Sequence, residues 1–248
     1  MAYSLLEITY GLTGSFRAGD TGPSPMYWNG NTEPGTSYIG SGSLQGWWRL
    51  NTDVSSTGDV TDSSNNSRTG TFDSAANRPS FNVRTPSKEF IQDKTNLFDA
   101  TNDAINIGTA ATWDAIIGND TSGGSTQQMS FAAWVYKTGD GGGSLGRILD
   151  FGEDIKVYTD ASERIYFGAS WNSSGVSWRT DAAFSLNTWS HIVVVYDASS
   201  VALGAKPKFY VDGAEVAEPA AFSGTVTGTF DGIDTEACYI VCRLLLEK

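Results

Sequence analysis

One histidine, His191, stands in the 248 residues, so a serine or cysteine triad would have to use it as its base. It lies on the expected strand 189–196. The two cysteines, Cys238 and Cys242, are four apart. On an extended strand that is about 13 Å, too far for a disulfide, and two thiols alone make no zinc site. The glycine-rich run 139–146 lacks the Lys-Ser/Thr ending of a phosphate loop and reads as a hairpin tip. Oxygen ligands of the kind calcium takes cluster in two acidic loops. One spans 59–66 and offers Asp59, Asp62, Asn65 and Asn66; the other, Asp150-Phe-Gly-Glu-Asp154, offers Glu153 and Asp154. A solvated turn is the alternative for both. Tyr166, Trp171, Asn172 and Trp178, with Arg179 beside them, gather around one expected hairpin. Exposed, they would form the aromatic and hydrogen-bonding platform that a carbohydrate needs. The alternative packs Trp171 against Trp178 across the hairpin. Trp134 and Trp189 are expected in the core.

These residues must be positioned by strands. The chain is long enough for one all-β domain, and its eight Trp and 28 Gly suit a sizeable core joined by tight turns. Met129, Phe131, Ala133 and Val135 alternate with Ser130, Ala132, Trp134 and Tyr136, a pattern apolar on both faces that predicts a central strand. Further strands are expected near 47–50, 70–72, 97–98, 104–107, 147–151, 155–158, 164–169, 176–179, 191–196, 208–211 and 214–216. Asp212-Gly213 predicts a type I′ hairpin turn, because both positions of that turn need positive φ. Residues 1–45, rich in Gly, Pro, Ser and Thr, predict an extended arm with a short strand or hairpin, so the main domain is placed at 46–248. No long helix is expected; 201–205 and 240–248 are candidates for short helical turns.

Net charge is −12 with only 16 Lys and Arg spread along the chain, which argues against nucleic acid and anionic membranes as partners. The opening MAYSLLEITYGLTGSF has no basic stretch followed by a long apolar core, so no secretory signal is expected, and no run has the length to insert into a bilayer.

Five fragments, in order, resemble laminin G-like domains of the concanavalin A-like lectin/glucanase superfamily. They are Gly46-Trp-Trp-Arg-Leu50 with the polar loop 60–66 and Arg68-Thr-Gly-Thr-Phe72; Phe98-Asp-Ala-Thr-Asn-Asp-Ala-Ile105; Met129–Tyr136; Asn187-Thr-Trp-Ser-His-Ile-Val193; and Lys208-Phe-Tyr-Val-Asp-Gly213. The resemblance covers roughly residues 46–235 and implies an all-β fold, an antiparallel two-sheet jelly-roll β-sandwich. It departs from the family at its end, where the closing strand after Phe230-Asp-Gly-Ile-Asp234 is expected to be shortened or replaced. Calcium-binding relatives carry an acidic/amide pair where Glu153 and Asp154 stand, so the resemblance implies Ca²⁺ as the one candidate cofactor. Glucanases of this fold carry a close E-x-D-x-x-E string for their paired carboxylates. No such string is present; Glu153-Asp154 and Glu215/Glu218 lack its spacing, so no catalytic residue is assigned.

The expected function is therefore non-enzymatic: an outward-facing phage virion component, a decoration or fibre protein at the virion surface. Its expected partners are other virion proteins or its own copies, reached through the arm, and host-surface glycans. The alternatives are a free lectin or adhesin, extracellular or at the cell surface, and, less favoured, a glycoside hydrolase.

Overall fold

The computed structural model describes residues 3–11, 44–50, 53–64, 66–82, 95–99, 101–118, 127–139, 145–152, 154–172, 174–183, 185–199, 206–217, 223–233 and 237–241. In chain order the elements begin with β1 (Tyr3–Gly11), β2 (Leu44–Trp48), α1 (Val54–Thr57), β3 (Asp59–Val60), β4 (Gly70–Thr71), β5 (Ser80–Asn82), β6 (Thr95–Phe98) and β7 (Ala104–Thr109). They continue with α2 (Ala110–Ile117), β8 (Gln128–Lys137), β9 (Leu145–Phe151), β10 (Ile155–Asp160), β11 (Arg164–Trp171), β12 (Ser174–Ala183), β13 (Trp189–Asp197), β14 (Lys208–Val211), β15 (Ala214–Val216) and β16 (Ala237–Val241). Two eight-stranded antiparallel sheets form. The first runs β15-β14-β13-β8-β1-β6-β5 with β2 also paired to β1, and the second runs β12-β11-β10-β9-β16-β7-β4-β3. This is the antiparallel two-sheet β-sandwich that the resemblance implies.

Strand β8 shows why the layers stack. Its buried positions, Met129, Phe131, Ala133 and Val135, all point into the sandwich and meet the inner faces of β10, β11 and β16 in one core. The same parity carries Lys137 inward, where it is fully buried. Its ammonium donates to the Asp160 carbonyl at 2.6 Å and meets the Glu163 carboxylate at 2.7 Å, so a strand of the first sheet is tied to the β10–β11 turn of the second. A buried ammonium is tolerated only with such partners.

The alternation also places side chains where composition does not. Trp134 and Trp189, expected in the core, are half-buried on the outer face of the first sheet. Trp134 packs on His191 at 5.1 Å and Trp189 on Tyr136 at 5.5 Å. Period two requires this, since Trp134 alternates with the inward 129–135 set of β8 and Trp189 alternates with the inward 190, 192, 194 and 196 of β13. The Asp212-Gly213 turn has φ of 50° and 82°, as the hairpin signal requires.

Strands near both chain ends enter the sheets. Strand β1, the strand expected within residues 1–45, is a central strand of the first sheet, paired with β8 on one side and with β6 and β2 on the other. The last strand is present too: β16 lies between β7 and β9 in the second sheet, so 240–241 are strand and not a helical turn. The candidate turn at 201–205 lies outside the described residues. Helix α2 was not anticipated. Its Ala110, Trp113 and Ile117 are buried, and the Trp113 indole donates to the Ile107 carbonyl at 3.0 Å. Eight residues are too few for a periodic signal to stand out.

Tyr196 on β13 reaches across the sandwich, accepting from the Trp171 indole at 2.6 Å. Tyr196→Phe would leave that buried donor unsatisfied, and a loss of about 1–3 kcal/mol is expected. Chemical denaturation reads it, and a midpoint equal to the parent's would refute the assignment.

Candidate functional site

On the outer face of the second sheet, residues paired in register share a side. Lys156 lies opposite Gly168, and Gly168 opposite Ser177; one row along, Tyr158 faces Tyr166, and Tyr166 faces Arg179. Because Gly168 has no side chain, the middle of its row is a depression. A cavity of about 230 Å³ lies there, bordered by Asp154, Lys156, Tyr158, Ser170, Ser177 and Ser223.

Each border is held. The Tyr158 and Tyr166 rings stack at 4.7 Å. The Tyr166 hydroxyl donates to Asp160 at 3.0 Å and accepts from Arg179 at 3.2 Å. At the other end the Ser170 hydroxyl donates to Asp154 at 2.9 Å. Along the β12 side the hydroxyls of Ser177 and Ser223 lie 3.0 Å apart, and the two residues exchange main-chain bonds of 3.0 and 3.2 Å. Ser223 begins a segment, 223–231, that wraps the β11–β12 hairpin. It is pinned by Asn172 N–H to the Thr229 carbonyl at 2.9 Å and by Asp231 N–H to the Ser170 carbonyl at 3.1 Å. Its Phe230 is buried beside Trp171 and Tyr196. Gly224 has φ of 77°, and a Cβ there would sit 2.5 Å from the Gly175 carbonyl oxygen, so this approach requires glycine.

The electrostatics follow from these contacts. Burial with Tyr166 alongside pushes the Tyr158 phenol up to about 12, so it is a neutral hydrogen-bonding group at physiological pH. Burial works against the Asp160 charge, but the Arg164 side chain and backbone, Tyr166 and Ser162 outweigh it and hold the carboxyl at about 2. His191 lies in the other sheet, its imidazole pKa lowered by burial against the pull of Asp212. No nucleophile–base pairing with it is seen among the described residues.

Of the five residues expected to form an aromatic platform, Tyr166 and Arg179 are on the slot's side of the sheet, in the row beyond it; neither lines it, and Tyr166 is buried against Tyr158. Trp171 and Trp178 are corrected: each is 1 % exposed and belongs to the core. They do not pair with each other either, since Trp178 stands opposite Phe167 and Trp171 opposite Ser174. The reason is parity: 171 is an odd number of residues from 166, and 178 from 179, so one of each pair must face inward. Asn172 is exposed at the hairpin turn. Lys156, Tyr158, Gly168, Ser170, Ser177 and Ser223 were missed. Strict alternation through β10, β11 and β12 would have indicated all but Ser223, which arrives from a segment 46 residues beyond Ser177.

The calcium loops fare differently. The Asp62 carboxylate is 7 % exposed, and both oxygens are filled by donors: the N–H groups of Trp47, Ser64 and Arg68 and the Ser64 hydroxyl, at 2.7–2.9 Å. It organises its loop and has no lone pair left for a cation, which corrects that assignment. Asp59 is exposed on β3. Glu153 lies outside the described residues, and Asp154 borders the slot. Among the described residues no three His, Cys, Asp or Glu converge as a metal site.

Asp160 yields a pH prediction. Its folded pKa lies below the unfolded value near 3.8, so its contribution is fully present above that value and is lost as pH falls toward 2. The full difference is about 2 kcal/mol. Asp160→Asn should flatten the acid limb of a stability-versus-pH curve between about 4 and 2; an unchanged limb would count against the network.

No curated protein matches the chain. The segment that builds the slot, from α2 through strands β8–β15 to residue 233, does find a family: residues 112–233 match the model of the Concanavalin A-like lectin/glucanases superfamily, of laminin G type.

Proposed function

We propose that this chain is a non-enzymatic binding protein that takes a glycan in the slot over Gly168. The observation that carries the reading is the slot itself, a cavity of about 230 Å³ edged by hydroxyls of Ser170, Ser177, Ser223 and Tyr158 together with Lys156 and Asp154. Sugars are recognised by groups of this kind, because each ring hydroxyl both donates and accepts. The superfamily match supports binding and hydrolytic roles alike. Hydrolysis ordinarily takes two carboxyls about 5–9 Å apart. Among the described residues that line the slot Asp154 is the one carboxylate, while Asp150 on the neighbouring strand is ion-paired with Arg147. That supports binding.

The setting we propose is display at a virion surface, as a decoration or fibre component that contacts host glycans and neighbouring subunits. Its support is the Gly-, Ser-, Thr- and Asn-rich character of the chain and a net charge of −12, which disfavours nucleic acid. Strand β1, from the segment first expected to reach other subunits, is used within the chain's own sheet.

A glycan array probed with the purified protein, in calcium and again in EDTA, tests the reading. Binding is expected, with Lys156→Ala weakening it at least tenfold at unchanged thermal midpoint. A signal abolished by EDTA would assign Glu153 and Asp154 a calcium ion. Silence in both buffers would overturn the glycan reading.

A further inference from the structure

The second inference rests on the first, that the slot is a glycan site, and concerns which part of a glycan it takes. A chain that crosses a sheet face needs an open path from edge to edge, whereas this slot is bordered by side chains from each of the three strands it covers and by Ser223. At one end stands Tyr158, whose ring is stacked on Tyr166. The other is bounded by the bonded pair Asp154 and Ser170. Lys156 stands along the β10 side, and along the β12 side stand Ser177 and Ser223, the latter on a segment pinned by main-chain hydrogen bonds. From β10 to β12 is two strand spacings, roughly 10 Å. At about 30 Å³ per water the cavity has room for roughly eight waters, the bulk of one sugar ring.

We propose that the slot receives the single terminal unit of a neutral glycan chain, entering from above the sheet, and that Gly168 sets the depth to which it enters. Neutrality follows from the charges along the slot. Lys156 is two residues from Asp154, the other charged residue that lines the slot, and stands in register with Asp150, which is ion-paired with Arg147. Neither a carboxylated nor a cationic sugar therefore meets a net opposite charge. The role of Gly168 follows from its surroundings. Its φ is not in the left-handed region, and a Cβ built there meets Lys156 Cε and the Val176 carbonyl oxygen at 3.8 Å and Lys156 Cβ at 3.9 Å, all ordinary contacts. The fold accommodates a methyl group at 168, whereas the slot loses its floor to it.

The experiment uses an array of neutral oligosaccharides grouped into sets that share a terminal unit and differ internally, with cyclic glucans as chains without ends. The wild-type signal is expected to follow the terminal unit, cyclic glucans are expected to be silent, and Gly168→Ala is expected to bind at least tenfold more weakly with an unchanged thermal midpoint. A signal that follows internal linkages, binding to cyclic glucans, or undiminished binding by Gly168→Ala while Lys156→Ala is weakened would overturn terminal recognition and leave the slot reading standing. A wild-type protein that binds no glycan, or binding that neither substitution alters, would overturn the slot reading and this inference with it.

Discussion

The sandwich depends on one buried contact between its layers, the hydrogen bond from the Trp171 indole to the Tyr196 hydroxyl. Two large amphipathic side chains cannot be buried with their polar atoms unpaired, since each orphaned group costs about 1–3 kcal/mol. By satisfying each other, a residue of the second sheet and a residue of the first can both lie in the core. Around them Phe167, Trp178 and Phe230 pack against Tyr196 at centroid distances of 4.7–6.3 Å. Burial in this cluster pushes the Tyr196 phenol well above its ordinary range. The cluster thus remains neutral and apolar in character across the working pH range.

The consequence reaches the outer surface. Phe230 is the inward anchor of the segment whose other end, Ser223, forms one wall of the slot. A wall set by a core aromatic and by main-chain hydrogen bonds is more rigid than one made of a free loop. The floor is equally constrained, because Gly168 sits mid-strand between Phe167, which packs on Tyr196, and Ala169, which is buried. Core and site are two faces of the same three strands. A substitution that rotates β11 would disturb both, whereas Lys156, Ser177 and Ser223 can be changed from the outside without touching the core.

A second tie, Lys137 to Asp160 and Glu163, works by a different principle. A buried ammonium loses hydration worth several kcal/mol and is retained only where fixed acceptors replace the water. Its acceptors lie at the β10–β11 turn. On the outer side of that turn Asp160 bonds Arg164 and Tyr166, so the turn that anchors the lysine also orients Tyr166, on which the slot's Tyr158 is stacked. The single histidine and the one described cysteine have no comparable role. His191 packs on Trp134 outside the core, and Cys238 is buried in β16 with its thiol pKa raised by burial.

Alternation of apolar residues made the β class, most strand positions and the Asp212-Gly213 hairpin legible in the sequence, because period-two burial and positive-φ turns are local properties of the chain. Fragment resemblance identified the sandwich for the same reason. The parity within β11 and β12 was legible too, and it would have put Trp171 and Trp178 inside; only the expectation that clustered aromatics form a platform obscured it. Three things were settled by tertiary structure alone. Strands β1 and β16 lie centrally in their sheets, since any strand can offer the same main-chain donors and acceptors and the partner is chosen over long separations. Asp62 became a loop organiser and not a cation ligand because Trp47, on β2, joins the local donors Ser64 and Arg68 at its carboxylate. The slot exists because a residue without a side chain, Gly168, falls beneath a wall delivered from residue 223, and no local pattern encodes the meeting of two distant segments.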